Sequence, residues 1–299
     1  MKKMLFLINP KAGNSGIKGN LLQILSTFCY NGYEVRVHTT SAPREITRII
    51  AAEGERYDIV VTSGGDGTLN ESVAGLTQLR HPPVLGYIPA GTMNDVAASL
   101  HLSLDPQQAA QDIVFGEDTE IDIGSFGGRA FSYVAAFGAF TDVPYITPQE
   151  SKRAFGRLAY LFEGVKTLPS IKPIHARVTA NGETEEDDFL LGLICSTKSV
   201  AGLRAKSLEK KLDISLSDGL FEIIFLRNIH NVVDLNNALT KALLLDFADK
   251  KSFYYVKAGS VHIEFDREIA WTLDGEDGGS HRAADISVLP RALKIRTPR

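Results

Sequence analysis

Cysteine is nearly absent: Cys29 and Cys195 are the only two in 299 residues and lie far apart, which excludes a disulfide scaffold. Both sit among apolar neighbours, so each is expected to be a buried structural thiol, and a reducing cytoplasm suits them. No apolar stretch approaches the roughly 20 residues that cross a bilayer as a helix. The run Met4–Ile8 has the look of a signal-peptide core, but Asn9-Pro10 breaks it and it reads as a first strand. Positive charge is not in excess: 32 Lys and Arg against 36 Asp and Glu give −4, so no nucleic-acid partner is expected. Any membrane contact must then come from a local patch. There is no HExxH and no CxxC, and the seven histidines are scattered, which leaves zinc and Cys/His nucleophilic mechanisms without support. GxxxxGKS and GxxxxGKT are also missing. Gly65-Asp66-Gly67 has no third glycine at position 70, so the usual dinucleotide fingerprint fails too.

What the chain does have is material for a sizeable core, with 44% hydrophobic and 23% charged residues. Its first third alternates strand-like and helix-like pieces. MLFLIN, YEVRVHTT, YDIVVTS and PVLGYIPAG read as strands. GNLLQILSTFCYNG, PREITRIIAAEGE, TLNESVAGLTQ and MNDVAASLHL read as the helices between and after them. That order implies a parallel sheet whose ligands bind beyond the carboxyl ends of the strands. Near Glu120 the pattern changes. TEIDIGSFGGRAFSYVAAFGAF reads as two strands joined by a Gly-Gly turn, and KRAFGRLAYLFEGVKTLP as a helix. HARVTANGETEEDDFLLGLICST gives a hairpin turning at Asn181-Gly182. Later β-branched and aromatic runs, interrupted by helical NVVDLNNALTKALLLDF, carry an all-β signature of sandwich or barrel type. The expected fold class is α/β: an N-terminal parallel-sheet nucleotide-binding domain over residues 1–125, then a C-terminal β-sandwich-like domain over 126–290.

The stretch SGGDGTLNES, Ser63–Ser72, sits where a strand meets a helix, since Leu69, Val73 and Leu76 recur at helical spacing. Glycines in such a turn permit positive φ and let a ligand approach bare backbone. The N–H groups and dipole of the following helix favour an anion, and Thr68 is placed to cap that helix or to bond a phosphate oxygen. A polyphosphate is the expected guest. Asp66 would repel it unless a cation such as Mg²⁺ stood between them. The alternative is a tight turn with an Asp cap and no ligand. Neighbouring loops argue for the site: Asn9–Gly16 after the first strand, Thr39-Thr40 after the second, and Pro89–Asp95 after the fourth all meet one sheet edge.

NPKAG, SGGDGTLNE and PAGTMND, in that order, resemble the diacylglycerol kinase catalytic-domain family, within it the bacterial soluble lipid kinases and their YegS-like and BmrU-like relatives. The likeness extends over essentially the whole chain. GGDGT alone is shared with NAD kinases and phosphofructokinase-like proteins; PAGTMND separates them. The resemblance implies the NAD kinase-like fold above, with residues 291–299 returning to the first domain. It implies an ATP- and Mg²⁺-dependent kinase acting on a lipid hydroxyl, diacylglycerol first, in the cytoplasm with peripheral membrane contact. The implied ATP contacts are Asn9, Pro10, Lys11, Ala12, Gly13, Thr40 (or Thr39), Gly65, Asp66, Gly67, Thr68, Leu69, Asn70, Glu71 and Thr92. Asp66, Asp95 and Asp122 would form the carboxylate network around Mg²⁺. In WTLDGE, Asp274, or second Glu276, would take the acceptor's proton; from local sequence alone, Asp274-Gly275 is a hairpin turn. Ser215, Asp218 and Leu220 resemble a structural Mg²⁺ loop.

The chain departs from the pattern at Lys11-Ala12, where many relatives carry a small residue and Ser, and at Arg44-Glu45, where Gly-Asp or Gly-His is common. Ala130–Phe140 and AFGRLAYLFEGV offer an acyl cleft but read first as ordinary core. Lys152, Arg153 and Arg157 offer a headgroup patch but read first as a solvated helix face. Open sheet edges leave room for a homodimer. An NAD-kinase-like enzyme and a catalytically silent nucleotide- or lipid-binding regulator remain the alternatives.

Overall fold

The computed structural model describes residues 1–12, 17–92, 94–138, 172–196, 216–243 and 246–299. The expected helix over 152–169, with Lys152, Arg153 and Arg157, lies outside them, as do Gly13, Ser215 and Phe140. The chain divides into two units, Met1–Ile123 with Pro290–Arg299, and Gly124–Leu289.

The first unit alternates β1 (Lys2–Ile8), α1 (Ile17–Tyr30), β2 (Tyr33–Thr39), α2 (Glu45–Glu53), β3 (Ile59–Gly64), α3 (Asp66–Leu76), β4 (Val84–Pro89), α4 (Asp95–Ser99) and α5 (Pro106–Phe115). The four strands pair in parallel in the order β2-β1-β3-β4, and Ile295 near the C-terminus pairs in parallel with Leu85 of β4. Parallel strands covered on both faces read as unbroken apolar runs, which is why β1 and β3 are buried almost residue by residue. One face packs Met4, Phe6, Ile8, Ile59 and Val61 against Ile24 and Phe28 of α1 and Ala109, Ala110 and Ile113 of α5. The Phe6 and Phe28 rings meet edge to face at 5.8 Å.

Three differences from the sequence reading have local causes. Helix α3 starts at Asp66, inside the glycine stretch, because Gly65 is extended (φ −91°, ψ −170°) and serves as its N-cap. Helix α4 is only five residues long, since His101 turns left-handed (φ 55°) just beyond it. Helix α5 had no counterpart in the sequence reading. Its start follows a familiar pattern: the Asp105 carboxylate accepts the Gln108 amide at 2.9 Å, and Pro106 holds the first helical position.

From the first unit, β5 (Glu117–Phe126) leads into the second, which contains β6 (Arg129–Phe131), β7 (Val134–Gly138), β8 (Ile174–Ala180), β9 (Glu183–Cys195), β10 (Phe221–Arg227), α6 (Val232–Leu243), β11 (Phe253–Ala258), β12 (Ser260–Leu273) and most of β13 (Glu276–Thr297). The segment 117–138 thus holds three strands where two were expected. Two long strands serve both layers of a sandwich. β9 pairs with β8 over Glu183–Phe189 and with β7 and β10 further on. β12 pairs with β8 over Val261–Phe265 and with β7 over Trp271–Leu273, with a register shift between Glu264 and Ile269 where it bends. The enclosed core is aromatic: Phe131, Phe137, Phe189, Phe221, Phe225 and Trp271 are all buried. A second cluster joins β9, β10 and β11 to Leu235, Ala238 and Leu239 of α6.

The two cysteines differ from expectation. Cys195 is buried in β9, and burial pushes its thiol well up, whereas Cys29 is exposed on α1.

Candidate active site

Parallel pairing brings the carboxyl ends of β1 to β4 to one edge, and backbone hydrogen bonds stitch the loops there to one another. The Asn9 amide donates to the Ser63 carbonyl at 2.9 Å, the Thr40 amide to Ile8 at 2.9 Å and the Ala90 amide to Gly64 at 2.7 Å. The Asn9 side chain folds its own loop by accepting the Lys11 amide at 3.0 Å, and it donates to Thr68 Oγ1 at 3.1 Å. Thr68 is buried under this contact inside α3, so it is not the helix cap.

The glycines do not supply the positive φ that the sequence suggests. None of Gly64, Gly65, Gly67 and Gly91 has positive φ. Their small size is what matters: a Cβ on Gly91 would stand 2.6 Å from the Gly65 Cα and 2.8 Å from Asn94 Oδ1. The two loops therefore touch backbone to backbone. Beyond that contact, the Asp66 carboxylate accepts the Asn94 amide at 3.0 Å. Asn94 itself is buried and left-handed (φ 53°), and its side chain closes on Gly91 with two hydrogen bonds of 3.0 Å. Tyr87 donates its buried hydroxyl to the Gly64 carbonyl at 2.9 Å. Burial, and then the negative charge of Asp66, push that phenol well above its ordinary value.

The helices opening at this edge differ in how their first amides are occupied. At α2, Glu71 of α3 accepts the Arg44 amide at 2.8 Å and the Ile46 amide at 3.2 Å. Glu45 accepts those of Ser41 at 2.7 Å and Ala42 at 3.1 Å, and these bonds hold its carboxyl at about 2. One carboxylate thus sits on the helix start and another on the chain leading into it. At α3 the N-cap is Gly65, which makes no side-chain cap hydrogen bond, and the acid in the first turn is Asp66. Gly67 is exposed and Asp66 half-buried there, while Leu69 is buried and points into the core. Asn70 is half-buried on the same helix, Thr92 exposed, and Thr40 buried against the Ile8 carbonyl.

The other expected acids are placed separately. Asp122 is buried, and its Oδ1 accepts the Arg291 amide at 2.7 Å. Asp95 opens α4, and its side chain lies outside the described residues. Among the described residues no three His, Cys, Asp or Glu side chains gather as a metal cluster. The expected Asp66–Asp95–Asp122 network lies partly outside the described residues, because the Asp95 side chain does. Asp218 is exposed and accepts the Leu220 amide at 3.1 Å in a turn with Gly219 left-handed (φ 76°).

In the second unit, Leu273 and Glu276 pair across a two-residue turn whose Asp274 (φ 52°) and Gly275 (φ 82°) are both left-handed, the geometry that Asp-Gly favours. The Asp274 side chain does far more than a turn requires. It is 3% exposed and accepts three amides, from Ser132 at 2.5 Å, Tyr133 at 2.9 Å and Val134 at 3.0 Å. Three of the carboxylate's roughly four lone-pair sites are thus engaged by amides. Glu276, the other acid expected to take the acceptor's proton, is exposed two residues on.

Comparison with known proteins bears directly on this site. The family described as "Diacylglycerol kinase catalytic domain" matches residues 3–126, and "YegS C-terminal NAD kinase beta sandwich-like domain" matches 141–297. A diacylglycerol kinase of Bacillus subtilis is 34% identical over 283 residues, covering 93% of this chain and 91% of its own. The chain belongs to the diacylglycerol kinase family. A Staphylococcus saprophyticus diacylglycerol kinase is 33% identical, covering 99% of this chain and 96% of its own. A solved diacylglycerol kinase structure from Bacillus anthracis, 21% identical, shares the fold with a TM-score of 0.76 over 99% of this chain and 97% of that one. Family membership makes the protein a lipid kinase, with ATP as the phosphate donor a kinase implies. The α/β and β-sandwich-like architecture expected from sequence is the one observed.

Within the kinase site, sequence reasoning overlooked Asn94 and Tyr87. The usable signal for Asn94 was its residue type, since asparagine is among the few that tolerate a left-handed backbone. Gly91→Ala is expected to lower kcat/KM at least about tenfold, because its Cβ would push the Gly65 and Gly91 loops apart. Steady-state kinetics at saturating lipid check this.

Asp274 carries a prediction for stability. Burial raises its carboxyl to about 6 against the pull of the three amides. The folded value lies above the unfolded one, so the contribution to stability is complete below about pH 4 and lost as pH rises through about 6. Asp274→Asn leaves one oxygen for three donors and lowers Tm throughout. Its deficit against the parent is expected to shrink as pH rises from 4 to 7, which thermal melts across that range measure.

Proposed function

We propose that this protein transfers the γ-phosphoryl group of Mg²⁺-ATP to the free hydroxyl of diacylglycerol, giving phosphatidic acid. The observation that carries the reading is the start of α3, where a glycine N-cap leaves the helix dipole to an anion beside the pinned carboxylate of Asp66. Backbone N–H groups of this turn and of the Asn9 loop hold the phosphates. Gly65 and Gly91 exclude side chains from the cradle. Mg²⁺ fits the donor set, since it takes one or two carboxylates and completes its shell with phosphates and water; Asp66 would hold it. Bound there, it offsets charge on the transferring phosphoryl group.

Glu276 accepts the proton of the acceptor hydroxyl as the oxygen–phosphorus bond forms and the bond to the ADP oxygen breaks. Asp274 acts on Glu276 indirectly, by fastening the hairpin to Ser132–Val134. No helix among the described residues is long and apolar enough to cross a membrane, and the acceptor is met by peripheral contact at the bilayer surface. The test is transfer of labelled γ-phosphate to a panel of lipid alcohols and NAD in mixed micelles. Label in phosphatidic acid supports the reading. Label in NAD, or none in any acceptor, removes it.

A further inference from the structure

We infer that Glu71 is a positioning residue that holds the Thr40–Thr47 segment in its working shape, acting through the left-handed backbone of Arg44 and not by touching nucleotide. The inference rests on the ATP site proposed above and assigns a part within it. Arg44 has a φ of 61°, a conformation glycine adopts freely and arginine does not. Such strain persists only where surrounding contacts over-determine it. Glu71 supplies those contacts. One oxygen takes the Arg44 amide at 2.8 Å, the other the Ile46 amide at 3.2 Å, and the Glu71 backbone carbonyl accepts Thr47 Oγ1 at 2.8 Å.

The rest of the segment is fixed by its neighbours. Glu45 takes the Ser41 and Ala42 amides and the Ser41 hydroxyl, with His38 Nε2 at 3.3 Å from its other oxygen. Thr40 is tied to the Ile8 carbonyl one residue before Asn9. Both carboxylate oxygens of Glu71 thus face backbone amides of another helix start, which is an odd use for a residue meant to touch phosphate. The same arrangement recurs elsewhere: the left-handed Asn94 donates its amide to Asp66, and the left-handed Arg291 to Asp122. At three strained positions a carboxylate from a distant element holds the amide. At Arg44 the holder is Glu71.

The test pairs two substitutions. Glu71→Ala is expected to raise KM for ATP roughly tenfold, the factor that about 1.4 kcal/mol of backbone preference corresponds to, with kcat within about twofold. Adding Arg44→Gly removes the strain that Glu71 opposes, so the double variant is expected to recover most of the lost affinity. Glu71→Gln, which keeps one acceptor oxygen, is expected to fall between and covers the case in which the alanine variant folds poorly. Amide hydrogen exchange in the nucleotide-free protein gives a reading independent of catalysis: Arg44 and Ile46 should exchange faster in Glu71→Ala. Unchanged exchange there overturns the clamp. So does a double variant as impaired as Glu71→Ala, the result direct nucleotide contact would give. If no ATP-dependent activity exists at all, the proposed function fails, while the exchange comparison still decides the clamp.

Discussion

Asp66→Asn is expected to lower turnover about a thousandfold or more while leaving Tm within a few degrees of the parent's. Asparagine keeps the size of the side chain and an oxygen for the Asn94 amide, now at 3.0 Å, so the contact between the β3 and β4 loops survives. What disappears is the charge. Without it, the negative phosphates at the start of α3 have no counterion held in place, and a neutral amide is a poor ligand for a hard cation. Activity above about a tenth of the parent's would show that this carboxylate does not hold the metal. A large drop in Tm would instead assign it to structure.

Glu276→Gln should reduce kcat by about 10²–10⁴-fold and leave KM for ATP near the parent's, because a general base contributes in that range and the glutamate is exposed at the start of β13. The partner experiment is Asp274→Asn assayed well below its melting temperature. If Asp274 fastens the hairpin and Glu276 takes the proton, the folded fraction of Asp274→Asn retains measurable turnover while Glu276→Gln does not. The opposite ranking would return the base to Asp274 and require its three amide contacts to open in the reacting complex.

These assignments also mark how far the sequence can be read. The strands β1, β3 and β4 were legible because parallel strands buried on both faces are continuously apolar, and Asn181-Gly182 because that dipeptide favours one hairpin turn. The glycines of the α3 turn were legible, but not how they are used. Positive φ is a local property that sequence suggests, whereas the close approach of Gly65 to Gly91 exists only once two loops meet. The surroundings of Asp274 were illegible for a related cause. Its partner Ser132 lies 142 residues away, and nothing near Asp274 announces that the side chain will be walled in. Glu71, expected as a nucleotide contact because it belongs to a nucleotide motif, has its oxygens on amides at the start of α2, which nothing near it in sequence announces. Helix α5 carried a legible start in Asp105-Pro106 and an apolar face of Ala109, Ala110 and Ile113, yet the sequence reading passed over it.

Titration calorimetry of ATP into the protein, with and without Mg²⁺, tests the central claim most directly. The expected result is one site whose affinity depends strongly on the cation in the parent and loses that dependence in Asp66→Asn. Equal affinity with and without the metal, or no heat of binding under either condition, would contradict it.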